Sequence, residues 1–198
     1  MGCIFAPSIQ PEIRSNVKRG RFHQDSNSSS NDSDLIPSPC TFEQCKSWIV
    51  NNEISEQGNI ALIRHPRVLA IYMKHREKNN QQYVKYSDFI KHRIFHCKVQ
   101  QVQIPADANQ NGSRLTKLKA VDLNESFAVL TENEFPYHLE SGVQHLVLFS
   151  TEKLDKERVQ QMIEEKYANR EYLWWRNPIC KQSIPDIWHI QVLVDCRK

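Results

Sequence analysis

Two histidines stand inside apolar, β-like runs of this chain: His145 within residues 142–148 and His189 within residues 187–194. Asn177, Gln182 and Ser183 come shortly before the second, and Gln191 follows it at the spacing that keeps a strand's side chains on one face. The arrangement describes a polar site built on a sheet. A neutral imidazole on a rigid strand is a usable nucleophile near pH 7, and a phosphate group needs converging hydrogen-bond donors around it. Arg170 and Arg176 lie close in sequence and either bind such an anion or solvate a loop. The plainer role for His145 and His189 is to hydrogen-bond in the interior and order the sheet, because buried polar groups must find partners.

The elements that must position these residues can be read from periodicity. Thr41 with Gln44 forms a capping box ahead of a helix whose face is Phe42, Cys45, Trp48 and Ile49. His65-Pro66 starts a second helix, with Leu69, Tyr72 and Met73 expected in the core. Ser87 is expected to cap a third, directing Phe89, Ile90 and Ile94 inward and Lys91, His92 and Arg93 outward. His92 and His96 are four residues apart, but nothing nearby completes a zinc site. From Lys98 the period changes to two: Val102 and Ile104, a turn at residues 109–112 and a second run at 115–123 predict a long hairpin. Further strands are expected at 127–130, 143–149 and 187–194, with an extended segment at 172–176. Between them, Thr151 is expected to cap a packing helix with Leu154, Val159, Met162 and Ile163 on its inner face.

These elements predict an α+β fold, with helices over residues 41–97 packed on a mainly antiparallel sheet over 98–198 and one crossover helix. At 198 residues and 39% hydrophobic content the chain supports one ordinary domain, residues 41–198, preceded by a tail over residues 1–40. Residues 23–39 are dominated by Ser, Asn and Asp, a composition that cannot offset the entropy of ordering. Met1-Gly2-Cys3 places a glycine for N-myristoylation and a cysteine for palmitoylation, with Arg14, Lys18, Arg19 and Arg21 following; Ala6 replaces the preferred Ser or Thr. The tail is accordingly expected to tether the protein to the cytoplasmic face of a membrane.

Composition excludes several classes. A net charge of +3, from 26 Lys and Arg against 23 Asp and Glu, gives no basic stripe for nucleic acid. The six cysteines form no CxxC pair, and no apolar run approaches a bilayer-spanning length. Neither a GxGxxG nor a GxxxxGK[ST] loop occurs, so no cofactor and no metal is expected.

Four segments carry a family resemblance: Arg67-Val68-Leu69 with Tyr72, Asn133-Glu134-Phe135-Pro136-Tyr137, Glu140-Ser141-Gly142-Val143-Gln144-His145, and Trp175-Arg176-Asn177-Pro178 with Ser183-Ile184-Pro185 and His189. In this order they resemble the fungal N-acetylglucosamine-induced protein family, a domain of unknown function, over residues 42–195. The C-terminal third is also similar to the histidine-triad and galactose-1-phosphate uridylyltransferase superfamily, through His145-Leu146-Val147, Asn177, Gln182-Ser183-Ile184 and His189-Ile190-Gln191. That resemblance implies that His189 attacks phosphorus, that Gln191 and Ser183 hold the phosphate oxygens, and that Asn177 orients the substrate. With His145 and Arg176 these complete the candidate ligand-binding set. The chain departs from the pattern at Ile187, which replaces the first histidine of the triad, and in the extra residue between Ser183 and His189. The glycine-rich turn expected after Asn177 is also missing.

Two functions remain open at this level. One is binding of a small phosphorylated or sugar-containing ligand, with phosphoryl or nucleotidyl transfer or hydrolysis through His189 if the domain is an enzyme. The other is a non-catalytic, membrane-tethered interaction module whose histidines are structural.

Overall fold

A computed structural model describes residues 36–105, 114–121 and 125–197. Gly2, Cys3 and the rest of the candidate lipid anchor lie outside the described residues. In chain order the elements are α1 (Phe42–Trp48), β1 (Ile49–Val50), β2 (Glu53–Ile54), α2 (Glu56–Ala61), α3 (Pro66–Gln82), α4 (Tyr86–Ile94), β3 (Val99–Pro105) and β4 (Arg114–Ala120). They continue with β5 (Ala128–Glu132), β6 (Val143–Ser150), α5 (Lys156–Tyr167), β7 (Glu171–Trp175), a 3-10 turn (Ile179–Lys181) and β8 (Trp188–Asp195). The fold is α+β.

The main sheet is antiparallel with strand order β5-β6-β8-β7. Since β6 and β7 both pair antiparallel to β8, they run parallel to each other, and α5 is the crossover that joins them. β6 and β8 are central and covered on both faces, which explains why they read as nearly continuous apolar runs. Leu146, Leu148, Ile190, Val192 and Val194 meet Val159 and Ile163 of α5 on one face. On the other, Val147 and Phe149 pack with Tyr86 and Ile90 of α4, while Trp175 and Leu193 pack with Phe42 and Cys45 of α1. Each fully buried aliphatic side chain contributes about 1.5–3 kcal/mol, so this double coverage is the main source of stability.

The capping box of α1 forms as expected: Gln44 N–H donates to Thr41 Oγ1 at 3.1 Å, and Thr41 N–H to Gln44 Oε1 at 2.8 Å. Pro66 opens α3, where the His65 ring accepts the Arg67 N–H.

Other expectations are corrected. Ser87 does not cap α4. The helix begins at Lys85, whose N–H donates to Asp88 Oδ2 at 3.0 Å, while Asp88 Oδ1 accepts from Ala120 N–H at 3.0 Å. One buried carboxylate thus both starts α4 and pins it to β4. Asp155, not Thr151, caps α5, accepting the Arg158 N–H at 2.7 Å; a carboxylate there also meets the positive end of the helix dipole. Thr151 instead accepts from Phe127 N–H at 2.9 Å and ties the end of β6 to β5.

The stripe of α3 is also different. Leu69 and Met73 are 44% and 55% exposed, and the inward row is Tyr72, His75 and Asn79. That row is aromatic and polar, so hydrophobicity alone placed the face one position off. The β3–β4 hairpin is a separate two-stranded sheet, held to the C-terminal end of α3 by Val84 N–H donating to Leu118 C=O.

Candidate functional site

Strand register assembles the candidate residues. In the β6–β8 ladder Phe149 faces His189, Val147 faces Gln191 and His145 faces Leu193, so these side chains share the face that looks toward the N-terminal helices. Between that face and α4 lies a cavity of about 270 Å³. His189, Gln191 and Ser183 line it, with Tyr72, Tyr86, Phe89, Phe135 and Phe149 as aromatic walls and Arg64 and Arg93 as its cations. Arg93 is ion-paired with Glu134 at the rim.

Hydrogen bonding fixes the protonation of both histidines. The backbone N–H of Tyr137 donates to His145 Nδ1 at 3.0 Å. A neutral imidazole carries one proton, so it resides on Nε2, which donates to Gln191 Oε1 at 2.8 Å. Asn133 Nδ2, 3.4 Å from the same Nε2, is a second donor and cannot compete for it. With the Gln191 oxygen occupied, its amide NH2 is left to the cavity. His145 is buried and its pKa is pushed down to about 4 by burial.

His189 is arranged the other way round. The Ile187 carbonyl, 2.8 Å from His189 Nδ1, can only accept, so Nδ1 carries the proton and Nε2 holds a lone pair. Nε2 has no hydrogen-bond partner among the described residues, where no fully buried side-chain nitrogen or oxygen lacks one. It therefore opens on the cavity. Burial is the main cause that lowers the His189 pKa; the Ile187 hydrogen bond opposes it and the positive charge of Arg176 adds to it. The ring is neutral at pH 7, with an acceptor or nucleophile exposed beside the donors of Gln191 and Ser183.

The structure brings together His189, Gln191 and Ser183, and places His145 behind Gln191 rather than on the cavity. Asn177 lies elsewhere. Its Oδ1 accepts from Trp175 Nε1 at 2.8 Å, its Nδ2 donates to Tyr137 Oη at 3.3 Å, and it borders a second cavity. Arg176 is exposed and does not line the first cavity. His92 bonds to Tyr83 Oη through Nδ1, and His96, at φ 55°, follows the C-terminus of α4. Among the described residues no group of three His, Cys, Asp or Glu side chains could hold a metal.

Arg64 was not singled out by sequence. Its Nε donates to Phe135 C=O at 2.9 Å, and its guanidinium carbon sits 4.5 Å from the Tyr72 ring centre and 5.6 Å from that of Tyr137. It lines both cavities, and among the described residues its terminal nitrogens pair with no carboxylate. The available signal was a lone cation after Ile60-Ala61-Leu62-Ile63, at the end of an apolar run.

The fold and site define a small α+β domain with a histidine-bearing cavity between its main sheet and a helical layer. The chain belongs to the family described as "Protein of unknown function (DUF3605)", whose model matches residues 41–195. No curated protein matches it. A solved structure described as "Crystal Structure of HTC1" is 21% identical, covers 78% of this chain and 84% of its own, and has a TM-score of 0.42, too distant a likeness to carry an argument. No helix among the described residues is long and apolar enough to cross a membrane.

The buried His145 makes stability depend on pH. Its folded pKa, about 4, lies below the ordinary 6.5, so the unfolded chain takes up the proton first as the pH falls. Stability is complete above about 6.5 and declines toward 4, with a slope for this group of at most about 1.4 kcal/mol per pH unit; His189 adds to it with the same sign. In denaturant titrations at pH 7, 6 and 5, His145→Gln should be less stable at pH 7 yet lose less per unit than the parent. Parallel losses would contradict the assignment.

Proposed function

We propose that the cavity binds a small phosphorylated sugar or nucleotide, and that His189 acts on its phosphorus. The observation that carries this reading is the His189 Nε2 lone pair opening on the cavity beside a Gln191 amide whose oxygen is already engaged. Phosphate oxygens would accept from the Gln191 NH2, the Ser183 hydroxyl and Arg64, and the aromatic walls suit the face of a sugar ring or base. In the transfer step Nε2 forms a bond to phosphorus while the bond to the leaving oxygen breaks. The proton stays on Nδ1, hydrogen-bonded to the Ile187 carbonyl, which supports the positive ring, and the leaving oxygen takes its proton from solvent. Water or an acceptor hydroxyl then displaces the imidazole. The sequence resemblance to the histidine-triad superfamily supports the same substrate class.

We infer separately that Gly2 and Cys3 are acylated and tether the domain to the cytoplasmic face of a membrane, a reading supported by the Met1-Gly2-Cys3 start and the basic residues after it.

Both readings have direct tests. A thermal-shift screen against sugar phosphates, nucleotides, nucleotide sugars and N-acetylglucosamine should find a ligand that, at a hundred times its dissociation constant, stabilises by ~2.7 kcal/mol. His189→Asn should lower turnover of that ligand at least ~100-fold with little change in Tm. A flat screen on folded protein would instead support the interaction-module reading. For the tail, Gly2→Ala should move the full-length protein from membrane to soluble fraction, and an unchanged distribution would remove the tether.

A further inference from the structure

The second cavity, about 400 Å³ and within the size range of small-molecule sites, shares Arg64 with the first but is not lined by His189. Ile54, Leu62, Ile63 and Leu69 form its apolar wall. Ile63 and Leu69 are each 44% exposed, so this wall includes apolar surface that the fold leaves open to water. Its charged lining is Arg64 and Lys181, with no carboxylate among the lining residues. Among the described residues neither cation is paired with a carboxylate: Arg64 uses its Nε on a backbone carbonyl, and the ion pairs do not include Lys181. The Tyr137 hydroxyl, which accepts from Asn177 Nδ2, keeps its own proton for donation. Asn177 is held by Trp175 and by Tyr137, so it forms a rigid floor.

An apolar wall, two cations and a hydroxyl donor, with no opposing acid, select a ligand with one negative end and one apolar end. We propose that this cavity is a separate binding site for an amphiphilic carboxylate, its head between Arg64 and Lys181 and its chain or ring along Leu62, Ile63 and Leu69. A carboxylate suits the geometry because the unused edge of a guanidinium pairs with both of its oxygens. The apolar end gains by covering Ile63 and Leu69, which water otherwise touches. The site does not depend on His189 chemistry, since only Arg64 is common to the two cavities.

The test is calorimetric titration of the full chain with octanoate, with octanol and acetate as probes that carry only one end each. Octanoate should bind saturably at one site per chain, with octanol and acetate each at least tenfold weaker. Lys181→Glu and Leu69→Asp change exposed side chains; each should weaken octanoate at least tenfold while far-ultraviolet circular dichroism and Tm stay as in the parent. His189→Asn should leave octanoate binding unchanged, which separates this site from the first cavity. Absence of saturable binding, equal binding of octanol, indifference to Lys181→Glu, or loss in His189→Asn would each overturn the proposal.

Discussion

The backbone N–H of Tyr137 can only donate, and it donates to His145 Nδ1. From that one constraint the polarity of the cavity follows. His145 must be protonated on Nε2, Gln191 must offer its oxygen to that proton, and the Gln191 amide nitrogen must face inward. A buried imidazole with both nitrogens engaged costs little, whereas the same ring without the Tyr137 N–H would have two tautomers and the cavity two polarities. The stacking of Tyr137 on His145, with ring centres 4.5 Å apart, keeps donor and acceptor in register. Asn133 N–H adds a further tie by donating to the His145 carbonyl.

His189 depends on the same strand pairing but meets a different backbone group. Two residues before it, the Ile187 carbonyl accepts the Nδ1–H hydrogen bond and so leaves Nε2 without a proton. The two histidines thus have opposite tautomers because one meets a backbone donor and the other a backbone acceptor. Burial keeps both neutral near pH 7, since charging either would strand a cation in an apolar layer. The β6–β8 ladder sets both positions at once, so neither ring can shift without moving the centre of the sheet.

Much of the scaffold was legible in the sequence because it is written in local chemistry. The Thr41–Gln44 capping box, Pro66 at the start of α3, and the nearly continuous apolar runs of β6 and β8 each depend on residues close in the chain. The β1–β2 hairpin was missed: Ile49, placed on the helix face, begins β1, and Asn51-Asn52 take φ of 52° and 66° in the tight turn that follows. The cap of α4 was hidden, because Asp88 serves a strand thirty-two residues away as well as its own helix. The site was half legible. His189, Gln191 and Ser183 converge, but Asn177 is turned to the second cavity by its bond to the Trp175 indole, and Arg64 reaches the site from across the fold. Neither placement leaves a trace in spacing, since both are set by packing between distant segments.

The opposite tautomers of the two histidines can be read from a long-range 1H–15N correlation spectrum of the imidazole nitrogens at pH 7. The spectrum should show a proton on Nε2 of His145 and on Nδ1 of His189, with both rings neutral. A His189 ring protonated on Nε2, or on both nitrogens, would place no lone pair in the cavity and contradict that assignment.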